Sequence, residues 1–197
     1  MWEAKGYHGA GNVGELIDSL ASRPAIIAGN GKGVFDEVEE AYTSVGNMAV
    51  VFSANDVGVY LPVVHHMVSL HGPKLMHWVE LRRDSTSRPN GNNDFRVHDA
   101  GLHGKADWYQ WEHLTPIMSL SGYFAMQIAY LMGCFPIVLC GCPGDSTPRF
   151  WETKGVNPGY VRSQQQIKEE MGYKPDFKKV VRSMSGWTRS YFGGVDA

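Results

Sequence analysis

The sequence of 197 residues has no long apolar run, few cysteines and no excess of positive charge. No segment approaches the roughly 18 unbroken apolar residues that a transmembrane helix needs. The first residues contain acid and glycine where a signal peptide has an apolar core. The sequence therefore predicts a protein without a membrane span that stays in the cytoplasm.

The charge balance argues against a polyanionic partner. The chain holds 18 Lys and Arg against 20 Asp and Glu, for a net charge of −2. Proteins that bind nucleic acid in general carry a clear excess of basic residues, so we expect no general nucleic-acid binding. Residues from 151 onward are the exception, because they hold eight Lys or Arg against five Asp or Glu.

Cysteine and histidine spacing predicts neither a disulfide framework nor a metal site. The three cysteines are Cys134, Cys140 and Cys142. An odd number beside an apolar run is typical of reduced thiols in a cytosol. The eight histidines do not combine with cysteine or carboxylate at the spacing of known zinc ligands. We therefore expect no metal ligands in this chain.

Continuous apolar runs alternate with helical patterns along the chain. Runs without polar alternation are typical of parallel strands covered on both faces. Four such runs are present, at Ala25–Ala28, Met48–Ser53, Met67–His71 and Phe135–Cys140. Helical spacing follows the first strand and the third strand, and it also precedes the fourth strand, most clearly from Ser121. The pattern predicts an α/β fold, a Rossmann-like parallel sheet with helices on both faces.

The remaining segments are predicted as additions to a single domain over residues 1–197, with its core at about 25–145. Residues 84–115 are polar and rich in glycine, and they predict a loop excursion over one edge of the sheet. Residues 151–197 predict a basic, helical C-terminal flap. Its last helix is predicted over 180–192, interrupted by a glycine.

A glycine-rich turn, Gly29-Asn-Gly-Lys-Gly33, follows the first strand. Glycine in such a turn lets a ligand approach the backbone amides. The helix that follows begins with two acids, which would oppose a phosphate at this position. We expect Gly29, Asn30 and Gly31 to contact the ribose or the base of a nucleotide, with Lys32 as the phosphate partner. The alternative is a plain tight turn.

Further candidate site residues follow the second and third strands, on the side where open α/β sheets bind ligands. Asn55 is a candidate nucleotide contact, and Asp56 a candidate base or partner of a ribose hydroxyl or a metal-bound water. The alternative for both is an Asx turn. His71 ends a strand and is a candidate catalytic base. Arg182, among several hydroxyls, is a candidate phosphate ligand, and the alternative is a helix that only packs on the sheet.

These motifs resemble those of the sialyltransferase-like bacterial proteins. The similar segments are Ile26–Gly31, Asn55, Ser121–Ala125 and Ile137–Gly141. The resemblance implies a cytidine nucleotide sugar bound by the glycine turn, Asn55, Ser121 and Gly122. The same skeleton resembles an ATP-using group related to 6-hydroxymethylpterin diphosphokinase. As a short version of this skeleton, the chain is most similar to proteins of phages and prophages, which would place it in the cytoplasm of a bacterial host.

The chain departs from the sialyltransferase-like pattern at three places, and one of them is Cys142-Pro143, which stands where that family has Asp. Lys32-Gly33 stands where that family has Pro-Ser, and no histidine follows His113, whereas the family's base is a histidine downstream of the last strand. We expect a nucleotide-binding transferase that uses a nucleotide sugar. The alternatives are pyrophosphoryl transfer from ATP, with Mg²⁺ accompanying the nucleotide, and a non-enzymatic, virion-associated protein. For a protein partner, two alternatives stay open: a second copy of this chain in a homo-oligomer, or a phage particle.

Overall fold

A seven-stranded, all-parallel sheet forms the centre of the structure. The structure is a computed structural model that describes residues 13–84, 94–100, 109–111, 120–153, 164–165, 167–169 and 176–196. The strands are β1 Ala25–Ala28, β2 Val50–Ala54, β3 His66–Ser69, β4 Arg96–Asp99, β5 Tyr109–Gln110, β6 Ile137–Cys140 and β7 Val181–Ser183. Their spatial order is β5-β4-β3-β2-β1-β6-β7.

Helices cover both faces of the sheet, which confirms the predicted Rossmann-like α/β fold. A 3₁₀ helix at Val13–Leu16 precedes six α-helices among the described residues: α1 Val34–Val45, α2 Val57–Tyr60, α3 Gly72–Asp84, α4 Ser121–Leu131, α5 Phe177–Val180 and α6 Gly186–Phe192. On one face, α1, α2 and α3 bury Val38, Val57 and Leu75. On the other face, α4 buries Phe124 and Ile128.

The burial of each element follows from its sequence. Every residue of β1 and β6 is buried, as expected for uninterrupted apolar runs in a parallel sheet. Helix α1 is amphipathic and buries only one face, which carries Val34, Val38 and Ala41. Helix α4 is apolar all round, and eight of its eleven residues are buried. The helix therefore packs against the sheet along its length, and other parts of the chain cover its outer side.

The sheet has three strands beyond the four that the sequence predicts. Strands β4 and β5 fall within the predicted excursion of residues 84–115 and extend the sheet at one edge. The prediction of one helix over 180–192 is wrong, because Val181–Ser183 pairs with β6 and only Gly186–Phe192 continues as a helix. Gly186 has φ +66°, a conformation that does not continue a right-handed helix.

The strand order reverses at β1. The chain runs outward from β1 to β5 on one side and then returns to place β6 on the other side. In open sheets of this kind, ligands bind outside the carboxyl ends of the strands at the reversal. None of the described helices has the length and apolar character required to cross a bilayer. The ends of β1, β2 and β6 therefore define the candidate site.

Candidate functional site

The glycine turn after β1 packs against the loop that follows β6. The amide of Gly29 donates to the carbonyl of Cys140 at 2.7 Å, and the amide of Gly31 donates to the carbonyl of Gly141 at 2.7 Å. A Cβ on Gly31 would lie 2.8 Å from Cδ of Pro143 and 2.9 Å from the oxygen of Gly141. Glycine is therefore required here by the close approach of the protein's own loop.

A carboxylate of the protein occupies the amino end of α1. Oε2 of Glu37 accepts a hydrogen bond of 2.7 Å from the amide of Gly141. The positive end of the helix dipole is thus already complemented by a fixed negative charge. A phosphate at this end of α1 would meet that charge, so the phosphate of a bound nucleotide has to lie elsewhere.

A direct side-chain contact between Asn30 and Asp56 links the ends of β1 and β2. Nδ2 of Asn30 donates to Oδ1 of Asp56 at 2.7 Å. Because Nδ2 is the donor, the orientation of the amide is fixed. Oδ1 of Asn30 is buried and has no hydrogen-bond partner among the described residues. The pair therefore has acceptor capacity for hydroxyl donors beyond the bond that joins it.

Asp56 is half-buried, and two basic side chains act on it. Desolvation by burial raises the pKa of the Asp56 carboxyl, although hydrogen bonds from its own backbone and from Asn30 and the charges of Arg149 and Lys74 act in the opposite direction. A partly desolvated carboxylate makes strong hydrogen bonds because water competes less for it. This end of the sheet thus combines an acceptor pair with two nearby cations.

Residues 148–151 cross over the glycine turn and bring one of those cations with them. Gly31 and Arg149 form an antiparallel bridge, and the amide of Phe150 donates to the carbonyl of Asn30 at 2.9 Å. Backbone pairing of this kind fixes Arg149 beside the Asn30 side of the site. No local pattern in the sequence predicts this contact, because it joins segments that are far apart along the chain.

A second polar group lies after β2 and β3. Asn55 has φ +65°, and its Oδ1 accepts a 2.7 Å hydrogen bond from Oγ of Ser69. The same Ser69 oxygen accepts from the amide of His71 at 3.0 Å, and Oγ of Ser121 accepts from the amide of Leu70 at 3.2 Å. Asn55 and Ser121 therefore lie at the expected carboxyl ends of the strands, where Asn55 binds the side chain of Ser69 and Ser121 binds the backbone of Leu70.

Three further predicted residues also lie near the carboxyl ends of the strands. A Cβ on Gly122 would lie 2.9 Å from Sγ of Cys142, so this glycine, too, allows the close approach of the loop after β6. The side chains of Lys32 and His71 are exposed. The amide of Lys32 donates to the carbonyl of Pro148 at 2.8 Å. Both side chains are thus accessible to a ligand at the strand ends.

Arg182 and the hydroxyls beside it bind the protein's own backbone instead. Nη1 of Arg182 donates to the carbonyl of Val181 at 2.8 Å. Oγ1 of Thr188 lies 2.8 Å from the carbonyl oxygen of Cys142 and 2.8 Å from Oγ of Ser183. Strand β7 is two strands away from β1. The structure therefore does not bring Arg182 together with the glycine turn.

The sequence does not single out a buried histidine pair on the α4 face of the sheet. Nδ1 of His66 lies 2.7 Å from Nε2 of His98. Burial lowers the pKa of His98 to about 3 and is the largest cause that lowers the pKa of His66 well below its ordinary value. Both imidazoles are therefore neutral at physiological pH. They belong to the core and not to the strand-end site.

Comparison with known proteins identifies no relative, since no family model, curated protein or solved structure matches this chain. The resemblance to the sialyltransferase-like proteins therefore rests on short motifs alone. Within the described part of the chain, no three His, Cys, Asp or Glu side chains are grouped so as to hold a metal ion. What the strand ends present to a ligand is the Asn30–Asp56 pair with Arg149 and Lys74 nearby.

Proposed function

We propose that this chain is a nucleotide-dependent glycosyltransferase that binds a nucleotide sugar at the carboxyl ends of β1 and β2. The observation that carries the proposal is the 2.7 Å contact between Asn30 and Asp56. A ribose presents two adjacent hydroxyl donors. The half-buried carboxylate of Asp56 complements those hydroxyls, because both of its oxygens accept hydrogen bonds.

Positive charge for the phosphates is available next to the proposed ribose position. Lys74 and Arg149 act electrostatically on Asp56, and the side chain of Lys32 is exposed on the glycine turn. Charge-assisted hydrogen bonds from such groups are the usual means of holding phosphate oxygens. Glu37 disfavours a phosphate at the amino end of α1. Because Arg182 lies on β7, two strands away from β1, Arg149 replaces it as the proposed phosphate ligand.

Glycosyl transfer also needs a group that accepts a proton from the acceptor hydroxyl. In the proposed step the acceptor oxygen bonds to the anomeric carbon while the bond from that carbon to the phosphate oxygen breaks. The nucleotide leaves with the bonding electrons, and the acceptor's proton passes to a base. His71 is the proposed base, because an imidazole suits this task near neutral pH and its side chain is exposed at the end of β3.

Calorimetry on the whole chain tests the ribose contact. CMP, CDP, UDP, ADP and ATP, each with and without Mg²⁺, are compared with their 2′,3′-dideoxy forms, which lack both hydroxyls. We expect binding of the ribonucleotides, and an affinity loss of about tenfold or more for either the dideoxy ligand or Asp56→Asn. Asp84→Asn, at the exposed end of α3, is the matched control. Equal affinity for the ribo and dideoxy forms, or no binding by any nucleotide, contradicts the proposal.

Turnover tests the proposed base. Release of ADP from ADP-glucose, of UDP from UDP-glucose or of CMP from a CMP-linked sugar is followed with the wild type and with His71→Asn. We expect the variant to bind the donor with unchanged affinity and to lose most of the turnover, by roughly 10²-fold or more. Unchanged turnover of His71→Asn would remove this residue from the mechanism.

A further inference from the structure

A cluster of exposed aromatic side chains lies beside the proposed ribose position. Phe150 is at its centre, with the ring centroids of Phe35, Tyr60 and Trp151 at 5.3, 5.5 and 4.5 Å and interplanar angles of 77°, 69° and 88°. We call these four residues the aromatic cluster. The three outer residues remain 40%, 54% and 45% exposed, respectively. Each outer ring therefore meets Phe150 edge to face and still presents surface to solvent.

The concentration of aromatic surface at this place is unusual within the described structure. The other exposed large apolar side chains are spread over the turn after the 3₁₀ helix, the loop before β2, helix α3 and the loop before β6. Among the residues that the structure describes, only those of the aromatic cluster include several such side chains that contact one another through a common ring. Isolated exposed apolar residues need no explanation, whereas a contiguous patch beside polar groups is typical of a binding site.

The aromatic cluster is physically continuous with the Asn30–Asp56 pair. The amide of Phe150 donates to the carbonyl of Asn30 at 2.9 Å. The guanidinium carbon of Arg149 lies 5.4 Å from the centre of the Trp151 ring, and the same residue acts electrostatically on Asp56. Arg149 therefore lies close to both the aromatic surface and the acceptor pair. A ligand that spans this area has a planar apolar part, hydroxyl donors and negative charge.

We infer that the aromatic cluster is the base-binding part of the nucleotide site, and this inference rests on the function proposed above. Nucleobases stack on aromatic side chains whatever their identity, because every base has a planar π-face. With the base on the aromatic cluster, the ribose hydroxyls reach Asp56 and the phosphates reach Arg149. Since stacking increases with planar area, purine nucleotides bind more tightly than pyrimidine nucleotides at this site.

Two substitutions on different elements test the stacking surface. Trp151→Leu and Phe35→Leu keep apolar bulk and remove the ring. We expect each to raise the dissociation constant of ADP about tenfold, and to do so equally for ADP and its dideoxy form. Phe135→Leu, at a similarly exposed position (54%) before β6, is the matched control and leaves the affinity unchanged. ADP is expected to quench the tryptophan fluorescence of the wild type, and Trp151→Leu to lose most of that quenching.

The possible outcomes separate the inference from the function on which it rests. If Asp56→Asn weakens ADP binding about tenfold or more while both ring variants bind like the wild type, the ribose site stands and the base-binding role is wrong. The role is also wrong if the ring variants lose affinity only for a methyl glycoside, because the aromatic cluster then binds the acceptor sugar. If the wild type binds no nucleotide, both proposals fail. Wild-type unfolding temperatures for both ring variants exclude a general loss of structure.

Discussion

Nε1–H of Trp111 donates to Nδ1 of His98 at 3.1 Å, and this contact fixes the protons of the buried histidine pair. A neutral imidazole carries a single proton. Because Nδ1 of His98 accepts, its proton is on Nε2, which donates to Nδ1 of His66 at 2.7 Å. His66 then holds its own proton on Nε2. A second proton on either ring would set two N–H groups against each other.

Acid is therefore expected to destabilise the fold through these two histidines. Burial lowers the pKa of His98 from 6.5 to about 3, and that of His66 well below 6.5. Below pH 6.5 the unfolded chain binds protons that the folded chain does not. Each histidine thus removes about 1.4 kcal/mol of unfolding free energy per pH unit. The loss begins as the pH falls through 6.5 and, for His98, ends near 3. Urea unfolding at pH 7, 6 and 5 measures it.

A single substitution isolates the contribution of His98. His98→Gln keeps one donor and one acceptor but does not titrate, so the pH slope should fall by about 1.4 kcal/mol per unit. His77→Gln, at an exposed position on α3, serves as the control and should keep the wild-type slope. A wild-type slope in His98→Gln would mean that this histidine is protonated in the folded state.

Gly31→Ala is expected to destabilise the protein whether or not a ligand is present. The added Cβ would meet Pro143 and the carbonyl oxygen of Gly141 at under 3.0 Å, and crowding of this kind typically costs about 1–3 kcal/mol. Lys32→Ala, next in the chain but exposed, should change the unfolding free energy by less than about 0.5 kcal/mol. Denaturant unfolding without nucleotide measures both. Wild-type stability of Gly31→Ala would show that the turn and the loop after β6 are not in close contact.

Two arginines with different surroundings form a matched pair for phosphate binding. Arg149→Ala should weaken a nucleoside diphosphate by about 1.5–3 kcal/mol, the range for hydrogen bonds to charged groups, and change nucleoside binding little. Arg182→Ala removes hydrogen bonds to backbone carbonyls. It should lower the unfolding free energy by about 1 kcal/mol and leave the affinity unchanged. Calorimetry with both ligands distinguishes them, and the opposite pattern would restore Arg182 as the phosphate ligand that the sequence predicts.

The three cysteines are expected to be inert in the folded protein. Desolvation raises the pKa of the Cys134 and Cys142 thiols to about 12, and burial raises that of Cys140 as well. Because the thiolate is the reactive form, alkylation by iodoacetamide at pH 8 should be about a hundredfold slower than in urea. Mass spectrometry of the labelled chain reads each site separately. Rapid labelling of Cys142 in the native protein would contradict this expectation.

The centre of the sheet is predictable from the sequence, whereas its edges are not. All residues of β1, β2, β3 and β6 are buried, and burial on both faces produces the continuous apolar runs on which the prediction depends. The edge strands lack this pattern. Arg96 is exposed in β4, Arg182 is partly exposed in β7, and β5 has only two residues. These strands join the sheet through backbone pairing with the adjacent strand, which the sequence pattern does not reveal.

For the candidate site, the sequence predicts which residues lie at the carboxyl ends of the strands, but not which of them contact one another. Asn30 and Asp56 are predicted separately, because each follows a strand. That they touch depends on β1 and β2 being neighbours in the sheet. Arg149 has no local signal, since it reaches the site by pairing with Gly31. Gly31 is predicted as a point of ligand approach, but the atoms nearest to it belong to the loop after β6.

The position of β1 between β2 and β6 also affects how the chain folds during its synthesis. The edge of β1 that faces β2 can pair as soon as α1 has formed, whereas its other edge waits for Ile137–Cys140. Until β6 has been synthesised, the amides of Gly29 and Gly31 lack their hydrogen-bond acceptors, the carbonyls of Cys140 and Gly141. A nascent chain that stops before Ile137 therefore exposes an apolar strand edge, the kind that pairs with other chains. We expect such a fragment to aggregate or to bind chaperones on the ribosome, and release from them to require synthesis of β6.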